Sequence, residues 1–532
     1  MVIIMSQITV NDLTFSYDTA YDNIFEHVSF QIDTDWKLGF IGRNGKGKTT
    51  FLNLLLGKEE YSGSITSSVD FDYFPFEVED DTVDTMEIIK NTIAPFKQWE
   101  QEMEECLKIH KADQDKGMER YGELLELYQT HDGYIIEELI QKEISKLWVD
   151  LSVLTRPFAT LSFGERTKIM LAALFLKKNN FLLIDEPTNH LDREGREVLA
   201  NYLQTKKGFI LVSHDRAFLD QCIDHVLSIN RANIEVQKGN YTSWQQNKQL
   251  KDNFELEKNE ELKKDIVILE EAAKRARGWS DQVEKSKIGT HAADRGAIGH
   301  KAAKMMKRAI SIENRKLDAA QEKKGLLKNI DQADSLKMNL LPFPKKNYIE
   351  VENLNLYYGE REVATAINFI LQSGDRIAIR GKNGSGKSTL FKLLLGEPVV
   401  YDGRYRVAQG LKISYVSQDT SYLKGNLKDF AVKYGLEENI FKTVLRQLDF
   451  TRNQFDKDIA DFSGGQKKKV LLAKSLAEPA HVFLWDEPLN FIDVLSRIQI
   501  EELILKYQPT MIFVEHDKVF SDKIATKIVS LE

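Results

Sequence analysis

Two short runs of the 532-residue sequence have the composition needed to hold a phosphate chain: GRNGKGKTT, Gly42 to Thr50, and GKNGSGKST, Gly381 to Thr389. Gly42, Gly45 and Gly47 in the first, and Gly381, Gly384 and Gly386 in the second, let the backbone wrap an anion. Asn44 and Asn383 sit within the wrap, and successive N–H groups point inward. Lys48 and Lys387 then reach the β- and γ-phosphates. Thr49 and Ser388 offer hydroxyls to Mg²⁺, with Thr50 and Thr389 following in the helix. Further on, FLLIDEP and VFLWDEP end apolar strands on Asp185 and Asp486, carboxylates suited to Mg²⁺. Glu186 and Glu487 come next, where each can orient or deprotonate an attacking water. His214 and His516 end later apolar strands (FILVSH, MIFVEH) and are expected to sense a γ-phosphate. Asp192 and Asp493, in NHLD and NFID, stand where they could couple two such sites.

Each glycine run follows an apolar segment (KLGFI, RIAIR) and precedes a helical pattern (TTFLNLLLG, STLFKLLLG), so a strand and a helix must position it. The landmarks repeat in order. Lys48 and Lys387 are 339 residues apart, Ser162 and Ser463 301, Asp185 and Asp486 301, His214 and His516 302. Repeats this long mean duplicated domains, expected at 1–241 and 341–532. The drop in offset places an extra segment in the first copy, expected as a helical hairpin at 97–130. There Trp99, Met103, Cys106 and Leu107, then Tyr121, Leu124 and Tyr128, follow helical spacing around a polar turn.

Between the copies lies a charge-dense linker, expected at 242–340. Leu262, Ile266, Leu269 and Ala273 step as a coiled-coil seam, and Ala302, Met305, Ala309 and Ile312 do so on the far side. The pattern predicts two long antiparallel helices, about 30 residues or roughly 45 Å each, joined by an irregular, glycine-bearing tip. From Lys274 to Arg308 there are ten basic and three acidic residues, in a chain whose net charge is −8. A basic tip on a stalk suits a polyanion, and Trp279 offers a stacking surface. A solvated spacer, with Trp279 packed on its own helices, is the plainer alternative.

Apolar residues make up 42% and charged residues 29%, which excludes bulk disorder, and no apolar run approaches a membrane span. The start, MVIIMSQITV, lacks the pattern of a signal peptide, and Met5 offers an alternative start. Two distant cysteines, Cys106 and Cys222, exclude a disulfide framework and a CxxC metal site. A cytoplasmic chain is expected.

Taken in order, the glycine loop, a signature (LSFGE at Leu161, FSGGQ at Phe462), the acid pair and the histidine resemble an ATP-binding-cassette ATPase in both halves. The resemblance implies an α/β fold: two tandem ABC-type P-loop ATPase domains joined by a long antiparallel α-helical, coiled-coil linker. It also implies cross-completion of two ATP sites within a monomer. Ser463, Gly464, Gly465 and Gln466 would complete the Lys48 site, and Ser162, Gly164 and Glu165 the Lys387 site. Tyr17 and Tyr358 would stack on adenine, with ordinary core or edge tyrosines as the plainer alternative, and Gln418 would join the Mg²⁺ shell. Two departures stand out. Phe163 replaces a signature glycine, and Phe76 stands where the second copy has Gln418.

Tandem cassettes on a long charged linker resemble the ABC-F family of ribosome-associated ATPases. GAIGHKAAKMMKR and WDEPLNFIDV are similar to its Lsa-type antibiotic-resistance group. That resemblance implies a 70S ribosome partner (23S rRNA, P-site tRNA and exit-site proteins) met by the linker and by the 97–130 hairpin, which would be the family's arm. The implied function is displacement of lincosamides, streptogramin A and pleuromutilins. A housekeeping ABC-F factor, an importer ATPase subunit and a DNA-repair ATPase are the alternatives.

Overall fold

A computed structural model of the chain describes residues 7–17, 23–43, 45, 47–108, 114–189, 191–230, 233–286, 304, 307–308, 310–312, 314–319, 321, 336–359, 361–382 and 384–531. Asn44, Asn383, Met5 and most of the expected tip, including 287–303, lie outside them.

Each half opens with a three-stranded antiparallel sheet. In the first half Gln7–Phe15 lies between Phe25–Asp33 and Ser62–Thr66, and in the second Asn347–Tyr358 lies between Arg361–Gln372 and Val400–Val407. Ile8, Val10, Leu13 and Phe15 turn one face of their strand to the core, the alternation a one-sided sheet requires. Behind it stands a second sheet whose inner strands are parallel. Phe209–Val212 and Met511–Val514 are buried at every residue, as strands covered on both faces must be.

Strand pairing in this second sheet builds the sites. Asp185 lies opposite Val212 and Asp486 opposite Val514, so each acid ends beside the strand that leads to its histidine. The strand before each glycine loop, Lys37–Ile41 or Arg376–Arg380, pairs with that same neighbour. Loop, acid and histidine therefore emerge at one carboxyl edge, where open α/β sheets bind ligands.

The segment expected as a hairpin contains the helices Phe96–Lys108 and Gln114–Thr130. Phe96 meets Tyr128 edge-on at 5.7 Å between ring centres, and Tyr128 Oη donates to Glu100 Oε1 at 2.6 Å. Leu124 is buried, whereas Leu107, counted in the apolar stripe, is 63% exposed. It lies one step round the helix from Cys106, past the edge of the contact.

Ser243–Ala333 forms a unit of its own. Helix Tyr241–Ser286 has 46 residues, about 70 Å at the usual rise, and so exceeds the expected length. The irregular tip was expected at 274–308, with Gly278 its first glycine. The helix runs on through that glycine because WSDQVEKS holds no breaker, and one glycine costs only about 1 kcal/mol. Ile266 and Ala273 are buried on the expected seam, but Ile312 is 48% exposed. The linker was also expected to reach 340. Leu336 and Met338 instead join the core of the second half, and Leu341 N donates to Ala480 O at 2.9 Å, so that half begins earlier. Among the described residues no helix is long and apolar enough to cross a membrane.

Candidate functional site

Both glycine loops fold alike. Gly45 and Gly47 have φ of 79° and 94°, Gly384 and Gly386 81° and 79°. A Cβ on Gly47 would stand 2.5 Å from Ile24 Cγ2, so glycine is needed there for backbone and for space. Lys48 and Lys387 each open a helix. Lys387 Nζ donates to Gly381 O and Lys382 O at 2.8 and 2.7 Å, and Lys48 Nζ to Gly42 O and Arg43 O at 2.6 and 3.2 Å. Both ammonium groups curl back over their loops, where an anion would meet them.

In the second half Ser388 Oγ donates to Asp486 Oδ2 at 2.8 Å. In the first, Asp185 Oδ2 accepts from Tyr73 Oη at 3.0 Å, while Thr49 is exposed. A buried carboxylate and a hydroxyl are hard oxygen donors, and the cationic loop beside them is an anion cradle. That set fits Mg²⁺ held jointly with phosphate.

A cleft of about 1200 Å³ surrounds Lys387. Ser162, Gly164 and Asp192 from the first half face Gly384, Ser388 and Thr389 from the second across it. Glu487 sits on its wall and accepts from Gln418 Nε2 at 3.0 Å, from Asn490 Nδ2, and from His516 Nε2 at 3.2 Å. Burial alone would push this carboxyl up. The His516 hydrogen bond and charge, then Lys468 and Asn490, overcome burial and hold it at about 2. Gln418, expected on Mg²⁺, thus turns its amide nitrogen to Glu487.

Surroundings differ at the first half's acid pair. Glu186 has the same left-handed backbone as Glu487, φ 50° against 47°. Its Oε1 is 3.3 Å from His214 Nε2 yet takes no hydrogen bond. Phe76 stands where Gln418 would donate. Phe76 and Phe163, the two departures from pattern, line one cavity of about 410 Å³ with Asp185 and Glu186. Burial and the neighbouring Asp185 push Glu186 up to about 8, and burial with Lys48 drives His214 far down. Asp493 and Lys469 of the second half lie within electrostatic reach of Lys48.

The signature residues are ordered by helix capping. Ser162 N donates to Glu165 Oε2 at 2.8 Å and Glu165 N to Ser162 Oγ at 3.3 Å; Ser463 and Gln466 repeat the exchange at 3.0 and 3.4 Å. Glu165 and Gln466 are therefore occupied as caps. Ser463 and Gly464 stay exposed and Gly465 is buried at the helix head. A Cβ on Gly464 would meet Phe491 at 3.5 Å. Tyr358 is 76% exposed on the cleft. Tyr17 Oη is 3.0 Å from Thr50 Oγ1, which ties it down.

Sequence reasoning missed the contacts between the halves. Arg216 crosses to Glu501 and lies 3.4 Å from Asp517, and Arg497 holds Asp517 at 3.2 Å. Glu501 and Asp517 side chains are fully buried. Glu501 amid the apolar run IQIEELIL was the available signal. Arg43 pairs with Asp449, which nothing in the sequence marks.

The ABC transporter family model matches residues 25–189 and 364–490, more than half the chain. The chain belongs to that family. It is an ATP hydrolase with two cassettes. It is 28% identical over 522 residues to ribosome protection protein VmlR of Bacillus subtilis (strain 168), covering 96% of this chain and 84% of the relative. To the energy-dependent translational throttle protein EttA of Escherichia coli (strain K12) it is 27% identical over 530 residues, covering 96% and 89%. Among solved structures, the complex of archaeal ribosomal stalk protein aP1 with archaeal ribosome recycling factor aABCE1 matches at TM-score 0.56 and 17% identity, covering 98% of this chain and 87% of that one. This last likeness is one of fold.

Proposed function

We propose that this ATPase is a cytoplasmic ribosome-protection factor of the Lsa type. It acts on the 70S ribosome and displaces lincosamides, streptogramin A and pleuromutilins from the large subunit. The observation that carries the reading is similarity to a ribosome protection protein along nearly the whole chain, linker included. The two-cassette cleft at Lys387 supports it. Linker and arm would meet 23S rRNA, P-site tRNA and exit-site proteins.

In this reading Lys48, Lys387 and their loops hold ATP phosphates, and the signature serines complete the sites from the opposite cassette. Thr49 with Asp185, and Ser388 with Asp486 and Gln418, would hold Mg²⁺, whose charge would neutralise the phosphates. Glu487, ionised and held by His516, Asn490 and Gln418, orients and deprotonates the attacking water, and Glu186 takes that part in the first site. Nucleotide shifts the cassettes toward closure only through its higher affinity for the closed form.

The test is the double variant E186Q/E487Q, which should co-sediment with ribosomes in ATP and not in ADP. Wild type expressed in a sensitive strain should raise growth limits for lincomycin and tiamulin. Failure to co-sediment removes the ribosome. Co-sedimentation without drug protection favours a translation factor, a second reading supported by equal similarity to EttA.

A further inference from the structure

Each cassette ends the helix before its signature in the same way. After helix Ile136–Lys146, Trp148 N donates to Ser145 O at 3.2 Å and Val149 N to Ile144 O at 3.5 Å. After helix Glu438–Gln447, Asp449 N donates to Arg446 O at 3.0 Å and Phe450 N to Leu445 O at 2.9 Å. In this helix end the residue past the cap takes left-handed backbone, and glycine is preferred because a Cβ is strained there. Trp148 and Asp449 occupy it at φ 54° and 66°.

Neither is glycine, so each has a use to look for. That of Asp449 is visible: its carboxylate crosses to Arg43, beside the first glycine loop. Trp148 stands at the matching place opposite the second loop. It cannot pair there, and Lys382, the counterpart of Arg43, pairs with Glu194 of the first cassette at 3.2 Å. The indole is instead 73% exposed on the wall of the cleft that holds Lys387, Tyr358 and Arg361. A large strained aromatic, open to solvent on the wall of a nucleotide cleft, matches the one part of a nucleotide that is flat and apolar-faced.

We propose that Trp148 presents an aromatic face to the purine base of the nucleotide at the Lys387 site, from the cassette opposite the one that holds the phosphates. Tyr358 serves the base from the home cassette. A base contact supplied from across the cleft exists only while the cassettes are together. Base recognition, and not the γ-phosphate alone, then favours closure at this site. At the Lys48 site the same backbone position is spent on an ion pair, so the two sites read the base differently.

The inference rests on Lys387 being a nucleotide site. The experiment uses the full chain carrying K48A, which leaves the second site, and measures Mg·ATP and inorganic tripolyphosphate binding by calorimetry. Trp148→Gly suits the left-handed backbone, so its melting temperature should equal or exceed that of the parent. It should bind ATP about tenfold more weakly and tripolyphosphate equally well. Trp148→Phe should stay within about threefold of the parent for ATP. Equal ATP affinity in Trp148→Gly overturns the inference and leaves the Lys387 reading intact. Equal loss for ATP and tripolyphosphate also overturns it, since the indole would then be supporting the phosphate pocket. If the K48A parent binds no ATP, the Lys387 reading falls and takes the inference with it.

Discussion

Glu186 and Glu487 follow matching strands of the two halves, take the same left-handed backbone and each stand near a histidine, yet their surroundings oppose one another. Glu487 receives hydrogen bonds from a glutamine, an asparagine and a histidine. Glu186 shares its cavity with two phenylalanines and has an oxygen with no hydrogen bond. Desolvation pushes both carboxyls up, and only the donors around Glu487 reverse it. A base is defined less by the motif that contains it than by the groups that the rest of the fold turns toward it.

The sharpest way to break this comparison is E487Q in a chain carrying K48A, which should lower ATP turnover by about 10²–10⁴-fold, while E186Q in a chain carrying K387A lowers it far less. Equal losses in steady-state phosphate release would show that the sites share the work. Next in size is Arg216→Ala. It leaves Glu501 and Asp517 buried with fewer partners, and about 3 kcal/mol of stability should be lost, read as the melting temperature of the full chain. Lys523 and Arg497 remain to hold those acids, which keeps the loss from being larger.

The pH profile separates the sites directly. With K387A, turnover at the Lys48 site should climb as pH rises through about 8, because Glu186 must lose its proton to act as a base. With K48A, turnover should stay flat from about pH 6 to about pH 9, since Glu487, held at about 2, is ionised throughout. Phe76→Gln restores a donor and should move the K387A profile to lower pH, gaining about tenfold at neutral pH for each pK unit. An unmoved profile would clear Phe76 of responsibility. At the small end, Asp449→Ala should cost about 2 kcal/mol because it breaks the part-buried pair with Arg43. Lys382→Ala should change stability by less than about 0.5 kcal/mol, its partner Glu194 being 61% exposed.

Much of the chemistry was legible because it is local. Glycine in left-handed loops, a hydroxyl after a lysine, and an acid at a strand end are needs of backbone and ligand that motif spacing records. The parallel core strands were legible as apolar runs, and the extra helices of the first half as a break in the repeat offset. What spacing could not reveal was which face of a residue is used. Gln466 and Glu165 belong to the signature yet cap their helices, and Gln418 turns to Glu487. Leu336 and Met338 read as linker because a charge-dense neighbourhood hides two residues that the second cassette buries.

The sequence by itself determined the two cassettes, their order, and the residues that could grip phosphate, since each follows from periodicity and short-range backbone rules. Only the tertiary structure decided that Arg216 reaches Glu501, that Arg43 pairs with Asp449, and that Trp148 and Asp449, both left-handed in backbone, meet different surroundings. Those pairings join residues hundreds of positions apart, and nothing in a one-dimensional pattern sets the distance between groups that touch only after two halves fold and pack.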